Sequence, residues 1–312
     1  MKVGIVTLIN EELHPDPGDH PENAARLSGV PDYLRASDLK DNIEFVNMFE
    51  DPQEILRRIH TPEYIALVKT IAEQGGGGLD MDTYIASGSY RAAYNVAAAA
   101  VACARELISG NFRRMLLIGR PPGHHATSNR GMGFCLFNNI ALAAEALIYY
   151  HGIGKIAVID WDVHHGNGTQ DIFYNRADVL YVSLHQSPLY PGTGKASETG
   201  VEKGKAFTVN IPLPPLTGGE DYVKIFENKV VSCLDDYKPD IILISAGFDA
   251  HRDDPLGGLG LTEVDFGRMT RRLSEVSLKY GGGRILSVVE GGYNPEANAR
   301  SIYEHVKELV KE

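Results

Sequence analysis

Short runs of β-branched and other apolar residues recur along the chain, at Val3–Leu8, Ile43–Met48, Met115–Ile118, Ile156–Ile159, Val179–Leu184, Phe207–Ile211, Ile241–Ser245 and Ile285–Val289. Several are apolar on successive rather than alternate residues, the pattern of strands buried on both faces in a parallel sheet. Between them lie stretches of helical character, Ser87–Ser109, Asn138–Tyr150, Gly218–Tyr237, Thr262–Tyr280 and Pro295–Lys311. This alternation predicts an α/β fold, a single open, mostly parallel sheet flanked by helices. No internal repeat or Pro- and Ser-rich linker divides the sequence, and the glycine run Gly75–Gly78 is too short to separate domains. Residues 1–312 are therefore expected to form one domain.

In open α/β sheets ligands gather beyond the carboxyl ends of the strands. The run Met115–Ile118 leads into Gly119-Arg120-Pro121-Pro122-Gly123-His124-His125, and Ile156–Ile159 leads into Asp160-Trp161-Asp162-Val163-His164-His165-Gly166-Asn167. Ser183-Leu184-His185, Ser245-Ala246-Gly247-Phe248-Asp249 and Glu290-Gly291-Gly292-Tyr293 follow three further runs. Five strands thus end in polar, mostly ionisable groups flanked by glycines, which let backbone approach a ligand. If the segment after Ile159 stays extended, Asp160, Asp162 and His164 share one face and Trp161 and Val163 the other. Asp162 and His164, joined by Asp249 from another strand end, supply two oxygens and a nitrogen. Three protein ligands with a position left open are the pattern of catalytic zinc, and an oxygen-rich set also suits Fe²⁺, Co²⁺ or Mn²⁺. An isolated Asp-x-His is more often a polar loop; its convergence with the other strand ends favours a metal site. Adjacent imidazoles at His124 and His125 need separate acceptors, and Asp160 and Asn167 are available. A carboxylate partner raises the basicity of one histidine while a neutral amide perturbs the other less, which divides base and acid roles.

Composition narrows the partners. Apolar residues make up 43% of the 312, charged residues 23%, and no apolar run is long enough to cross a bilayer, so a soluble, cytoplasmic protein is expected, with MKVGIVTLI as a first strand rather than a leader. A formal charge of −11 argues against direct nucleic-acid binding and suits a basic partner. Cys103, Cys135 and Cys233, odd in number and widely spaced, read as core thiols.

The stretches RPPGHHA (Arg120–Ala126), GFCLFNN (Gly133–Asn139), DWDVHHGNGTQ (Asp160–Gln170), SLHQ (Ser183–Gln186), YPGTG (Tyr190–Gly194), SAGFDAH (Ser245–His251) and EGGY (Glu290–Tyr293) resemble, in order, the histone deacetylase superfamily, which includes prokaryotic deacetylases and acetylpolyamine amidohydrolases. The amide at Asn167 is similar to the class II branch. The resemblance implies an arginase/deacetylase fold with an eight-stranded sheet. It implies Asp162, His164 and Asp249 as zinc ligands and His125 as general base and acid. His124 becomes an electrostatic partner backed by Asp160, with Asn167 behind His125, and Tyr293 a donor to the acyl oxygen. Gly133, Phe134 and Tyr190 are implied to line a tunnel for an aliphatic stem, with Tyr190 standing where the family commonly has Phe, and Arg26 to reach an internal cavity. A structural potassium ion is implied at Asp160, Asp162, His164, Ser183 and Leu184, with a second monovalent site near Phe173, Arg176, Val179 and Phe207. At the rim, Leu256 resembles the position at which polyamine-selective relatives carry a glutamate, and Asp82 the residue that holds a peptide's amides. The expected activity is removal of acetyl or another short acyl group from lysine in peptides or proteins. The rivals are hydrolysis of acetylpolyamines or another small acylated amine, and an inactive acyl-lysine binding module. Oligomeric state is not legible.

Overall fold

The computed structural model of the chain describes residues 2–311. Ten strands occur among them: β1 (Val3–Leu8), β2 (Ile43–Phe45), β3 (Gly76–Gly78), β4 (Tyr84–Ala86), β5 (Arg114–Gly119), β6 (Ile156–Asp160), β7 (Val179–Gln186), β8 (Thr208–Leu213), β9 (Ile241–Ala246) and β10 (Ile285–Val289). Eight build one sheet in the order β2-β1-β5-β10-β9-β6-β7-β8, every pair parallel. All residues of β5, β6, β9 and β10 are buried, which explains their unbroken apolar runs. One apolar layer packs Trp161, Phe248, Phe266 and Leu273 against one face of the sheet. The other packs the alanine-rich helix Ser89–Ser109 and the helix Asn139–His151 against the opposite face.

The expected strand Ile43–Met48 stops at Phe45, because β2 is an edge strand that pairs only with β1. The run Gly75–Gly78 is not a featureless loop: Gly76–Gly78 pairs antiparallel with β4. A Cβ at Gly76, whose φ is +115°, would lie 2.5 Å from the Ile85 carbonyl oxygen, so this close approach requires glycine. The stretch Gly218–Tyr237 is helical throughout but widens to a π turn over Phe226–Val231. Helices at Val30–Ala36, Gln53–Ile59 and Asn167–Phe173 are too short to carry a long periodic pattern, whereas Pro62–Glu73, outside the stretches expected to be helical, buries Tyr64, Val68 and Ala72 at i, i+4 and i+8. No helix among the described residues is long and apolar enough to cross a membrane.

Candidate metal centre and active site

The chemistry collects beyond the carboxyl ends of β5, β10, β9 and β6, the four central strands. β6 ends at Asp160, and the chain then bends rather than remaining extended to His164. The bends are held by side chains: Asp160 Oδ1 accepts from the Asp162 amide at 3.2 Å, and Asp162 Oδ1 from the His164 amide at 2.9 Å. Trp161 and Val163 are fully buried in the apolar layer. Asp249, just past β9, reaches across to accept the Val163 amide through Oδ1 at 2.8 Å.

One donor atom each from Asp162, His164 and Asp249 falls within a set no more than 4.8 Å across. Asp249 Oδ2 is buried, 3.2 Å from His164 Nδ1, yet accepts no hydrogen bond. Two buried carboxylates, Asp162 and Asp249, share the single imidazole of His164, which can balance only one negative charge, so these residues fit a divalent ion. The surrounding backbone is close. A Cβ at Gly291 would lie 2.0 Å from Asp249 Oδ2 and 2.6 Å from Asp162 Oδ2, and one at Gly247 would lie 2.2 Å from Asp162 Oδ2. Burial disfavours the Asp162 carboxylate, but His124 and His164 outweigh it and hold the group well below the carboxylate range. Burial and the Asp162 charge push Asp249 up. Burial likewise opposes protonation of His164, yet its contacts with Asp162 and Asp249 lift it to about 10.

The paired histidines lie in the loop after β5, their ring centroids 4.0 Å apart. His124 Nδ1 donates to Asp160 Oδ2 at 3.1 Å, and that oxygen also accepts from the Tyr181 hydroxyl at 3.0 Å. His125 Nδ1 donates to Asn167 Oδ1 at 2.8 Å. Against the cost of burial, Asp162 and Asp160 raise His124 to about 10; burial and the neighbouring His124 and His164 drive His125 well below the usual histidine value. The surroundings thus favour a proton on the carboxylate-backed histidine and disfavour one on the amide-backed histidine. Glu290 secures this loop, its Oε2 accepting from the amides of Gly123 at 2.7 Å and His124 at 3.1 Å.

A pocket of about 290 Å³ opens here, lined by Pro21, Asp82, His125, Gly133, Phe134, His164, Leu189, Tyr190, Leu256 and Tyr293. Phe134 adopts a left-handed backbone, φ +68°, with its amide donating to Thr83 Oγ1 at 3.1 Å. A Cβ at Gly133, φ +53°, would meet His125 Cδ2 at 2.4 Å, so glycine is required where this wall touches the base. Tyr190 stands edge-on to His125 at 5.2 Å. Asp254 joins rim to site, Oδ1 accepting from the Leu256 amide at 2.9 Å and Oδ2 from the Tyr293 amide at 2.6 Å. Burial, then Asp249, raises the Tyr293 phenol well above its usual value, so it remains a donor.

Arg26 does not line this pocket. It is buried beside the Tyr293 ring, 5.7 Å from its centroid, with Nε on Glu22 and Nη2 unpartnered. Asp82 is at the mouth, its carbonyl 3.0 Å from the His20 ring. At the implied potassium position Asp160 and Ser183 sit opposite each other in the β6–β7 register, beside buried Leu184. At the second, the Phe173 carbonyl accepts from the Arg176 amide and the Phe207 carbonyl from the Tyr181 amide. Glu290, Asp254 and Glu22 are the participants that motif reading left without roles. Glu290 and Asp254 act on backbone amides, for which residue spacing carries no signal, while Glu22 holds buried Arg120 across the fold and Arg26 at i,i+4.

The model of the histone deacetylase domain matches residues 20–309. A probable deacetylase of Archaeoglobus fulgidus is 39% identical over 95% of this chain and 82% of its own length. A histone deacetylase-like amidohydrolase of Pseudomonas aeruginosa is 38% identical over 88% of this chain and 72% of its own. The crystal structure of the HDA15 HD domain superposes with a TM-score of 0.91 at 34% identity, covering 99% of this chain and 90% of that one. The fold and the strand-end site define an α/β hydrolytic class of the arginase/deacetylase type, and the chain belongs to the histone deacetylase family.

Proposed function

We propose that this deacetylase is a zinc-dependent amidohydrolase that removes acetyl or other short acyl groups from lysine side chains of peptides and proteins. The observation that carries the reading is the meeting of buried Asp162 and Asp249 with His164, which itself lines the pocket that receives His125 and Tyr293. These three residues would hold the ion, with Fe²⁺, Co²⁺ or Mn²⁺ as substitutes. Bound there, it supplies a Lewis acid for the acyl oxygen and lowers the pKa of water. Neutral His125 takes the proton of the attacking water through its pocket-facing nitrogen, since Nδ1 is engaged by Asn167. The Tyr293 phenol donates to the acyl oxygen as negative charge develops on it. His124, held protonated by Asp160, stabilises that charge electrostatically, and a protonated histidine returns the proton to the departing amine. Phe134 and Tyr190 flank the aliphatic stem. Asp160, Asp162, His164, Ser183 and Leu184 are proposed to hold potassium through carbonyl and carboxylate oxygens.

Aliphatic Leu256 at the rim offers a polyamine's distal ammonium no charge, which favours acetyl-lysine over acetylpolyamines. The test is turnover of a fluorogenic acetyl-lysine peptide with and without chelator, followed by readdition of each metal, with acetylputrescine and acetylspermidine as parallel substrates. Peptide turnover lost on chelation and restored by zinc is expected. Activity indifferent to chelation defeats the metal assignment, and higher kcat/KM on acetylspermidine defeats the substrate assignment.

A further inference from the structure

The amide of Asn167 must face one way for His125 to act as a base. With Asn167 Oδ1 on His125 Nδ1, that nitrogen carries the ring's proton and Nε2 keeps its lone pair. Turned over, the amide would present NH₂ to Nδ1, the proton would move to Nε2, and the base would be blocked. A carboxylate at this position accepts in either orientation; an amide needs something to orient it. The neighbours of Asn167 Nδ2 are two acceptors without hydrogens, the Met132 thioether at 3.4 Å and the His125 carbonyl at 3.5 Å. The thioether is the nearer, and the carbonyl lies at the limit of hydrogen-bonding distance. An inverted amide would turn its oxygen toward sulfur, lone pair against lone pair. Met132 is held at this place by its own carbonyl, which accepts from the Cys135 amide at 3.0 Å, one residue before the Gly133–Phe134 wall.

We infer that Met132 is a positioning residue: its thioether fixes the orientation of the Asn167 amide and thereby selects the tautomer of His125 that leaves Nε2 free. The inference rests on the reading of His125 as proton acceptor proposed above. The central variant is Met132→Leu, which conserves volume and removes the acceptor. It is expected to lower kcat about three- to tenfold, the scale of one modest hydrogen bond, with KM and metal content unchanged. Imidazole nitrogen NMR shifts of His125 should move toward the Nε2–H form. In an Asn167→Asp background the same substitution should be silent, because a carboxylate needs no orienting. Equal losses in both backgrounds, or no loss in the native one, overturn the inference. Should Leu lower Tm, Met132→Gln keeps an acceptor oxygen, and its kcat should stay near the native value; a fall as large as that of Leu overturns it. His125→Ala tests the underlying reading separately, since retained activity there removes the base itself while leaving the amide geometry measurable by NMR.

Discussion

Tyr293 brings one hydroxyl to the pocket, and burial keeps it protonated. Tyr293→Phe removes only that donor, so kcat should fall about a hundredfold to a thousandfold while metal content and Tm stay near native. Kinetics on an acetyl-lysine peptide, with metal analysis of the same sample, decide it; near-native kcat takes Tyr293 out of the mechanism. Asp249→Ala acts differently. It leaves two donors and strands Asp162 beside His164, so metal and activity should disappear together. Stoichiometric zinc in that variant refutes the ligand set. Candidates of this kind stand out in the sequence because each lies just past a strand and carries an unusual group for its place. Glu290 and Asp254 do not, although both hold the site together, because their partners are the amides of Gly123, His124, Leu256 and Tyr293. Any residue offers such an amide, so nothing in the amino-acid pattern marks it.

The turns that carry the ligands depend on missing side chains as much as on present ones. Gly291 lies against the carboxylates of Asp249 and Asp162, both in the proposed ligand set, its amide donating to Asp162 Oδ2 at 2.8 Å. Gly291→Ala should push Asp249 and Asp162 apart and lower metal occupancy, with the sheet intact by circular dichroism; full occupancy would show that the turn can yield. All eight sheet strands were legible as apolar runs, since central strands buried on both faces leave a continuous signal. Errors fell where burial is one-sided or the element is short. β2 lost its expected end at the sheet edge, β3 was concealed by a side-chain-free sequence, and helices such as Asn167–Phe173 are too brief to show a period. The bends after β6 could not be foreseen from alternation, because they are set by Asp160 and Asp162 accepting local amides.

At the scale of the whole molecule, the proposed ligand set makes proton and metal competitors for the same centre. His164, raised to about 10, stabilises the metal-free fold fully below its ordinary value of 6.5, and that contribution is lost as pH rises through about 10. Metal binding requires the proton to leave. Apparent zinc affinity should therefore rise by about one log unit per pH unit across neutrality, more steeply at the acid end, where Asp249, pushed up by burial and Asp162, also holds a proton. Chelator competition over that range checks the slope, and a flat profile contradicts it. If Leu256 governs substrate choice as proposed, Leu256→Glu should shift kcat/KM from acetyl-lysine peptide toward acetylspermidine, measured as a ratio on both proteins. The strand order adds a constraint on timing during synthesis. β9 and β10, the last strands to leave the ribosome, occupy the middle of the sheet between β5 and β6. Without them, β2-β1-β5 and β6-β7-β8 share no paired edge, the histidine pair following β5 and two of the three proposed metal donors following β6. On the proposed ligand set the third donor, Asp249, follows β9, one of the strands that join the halves, so three-point capture of an ion would come late, and a chain arrested before Asp249 would lack both the final ligand and the completed seam.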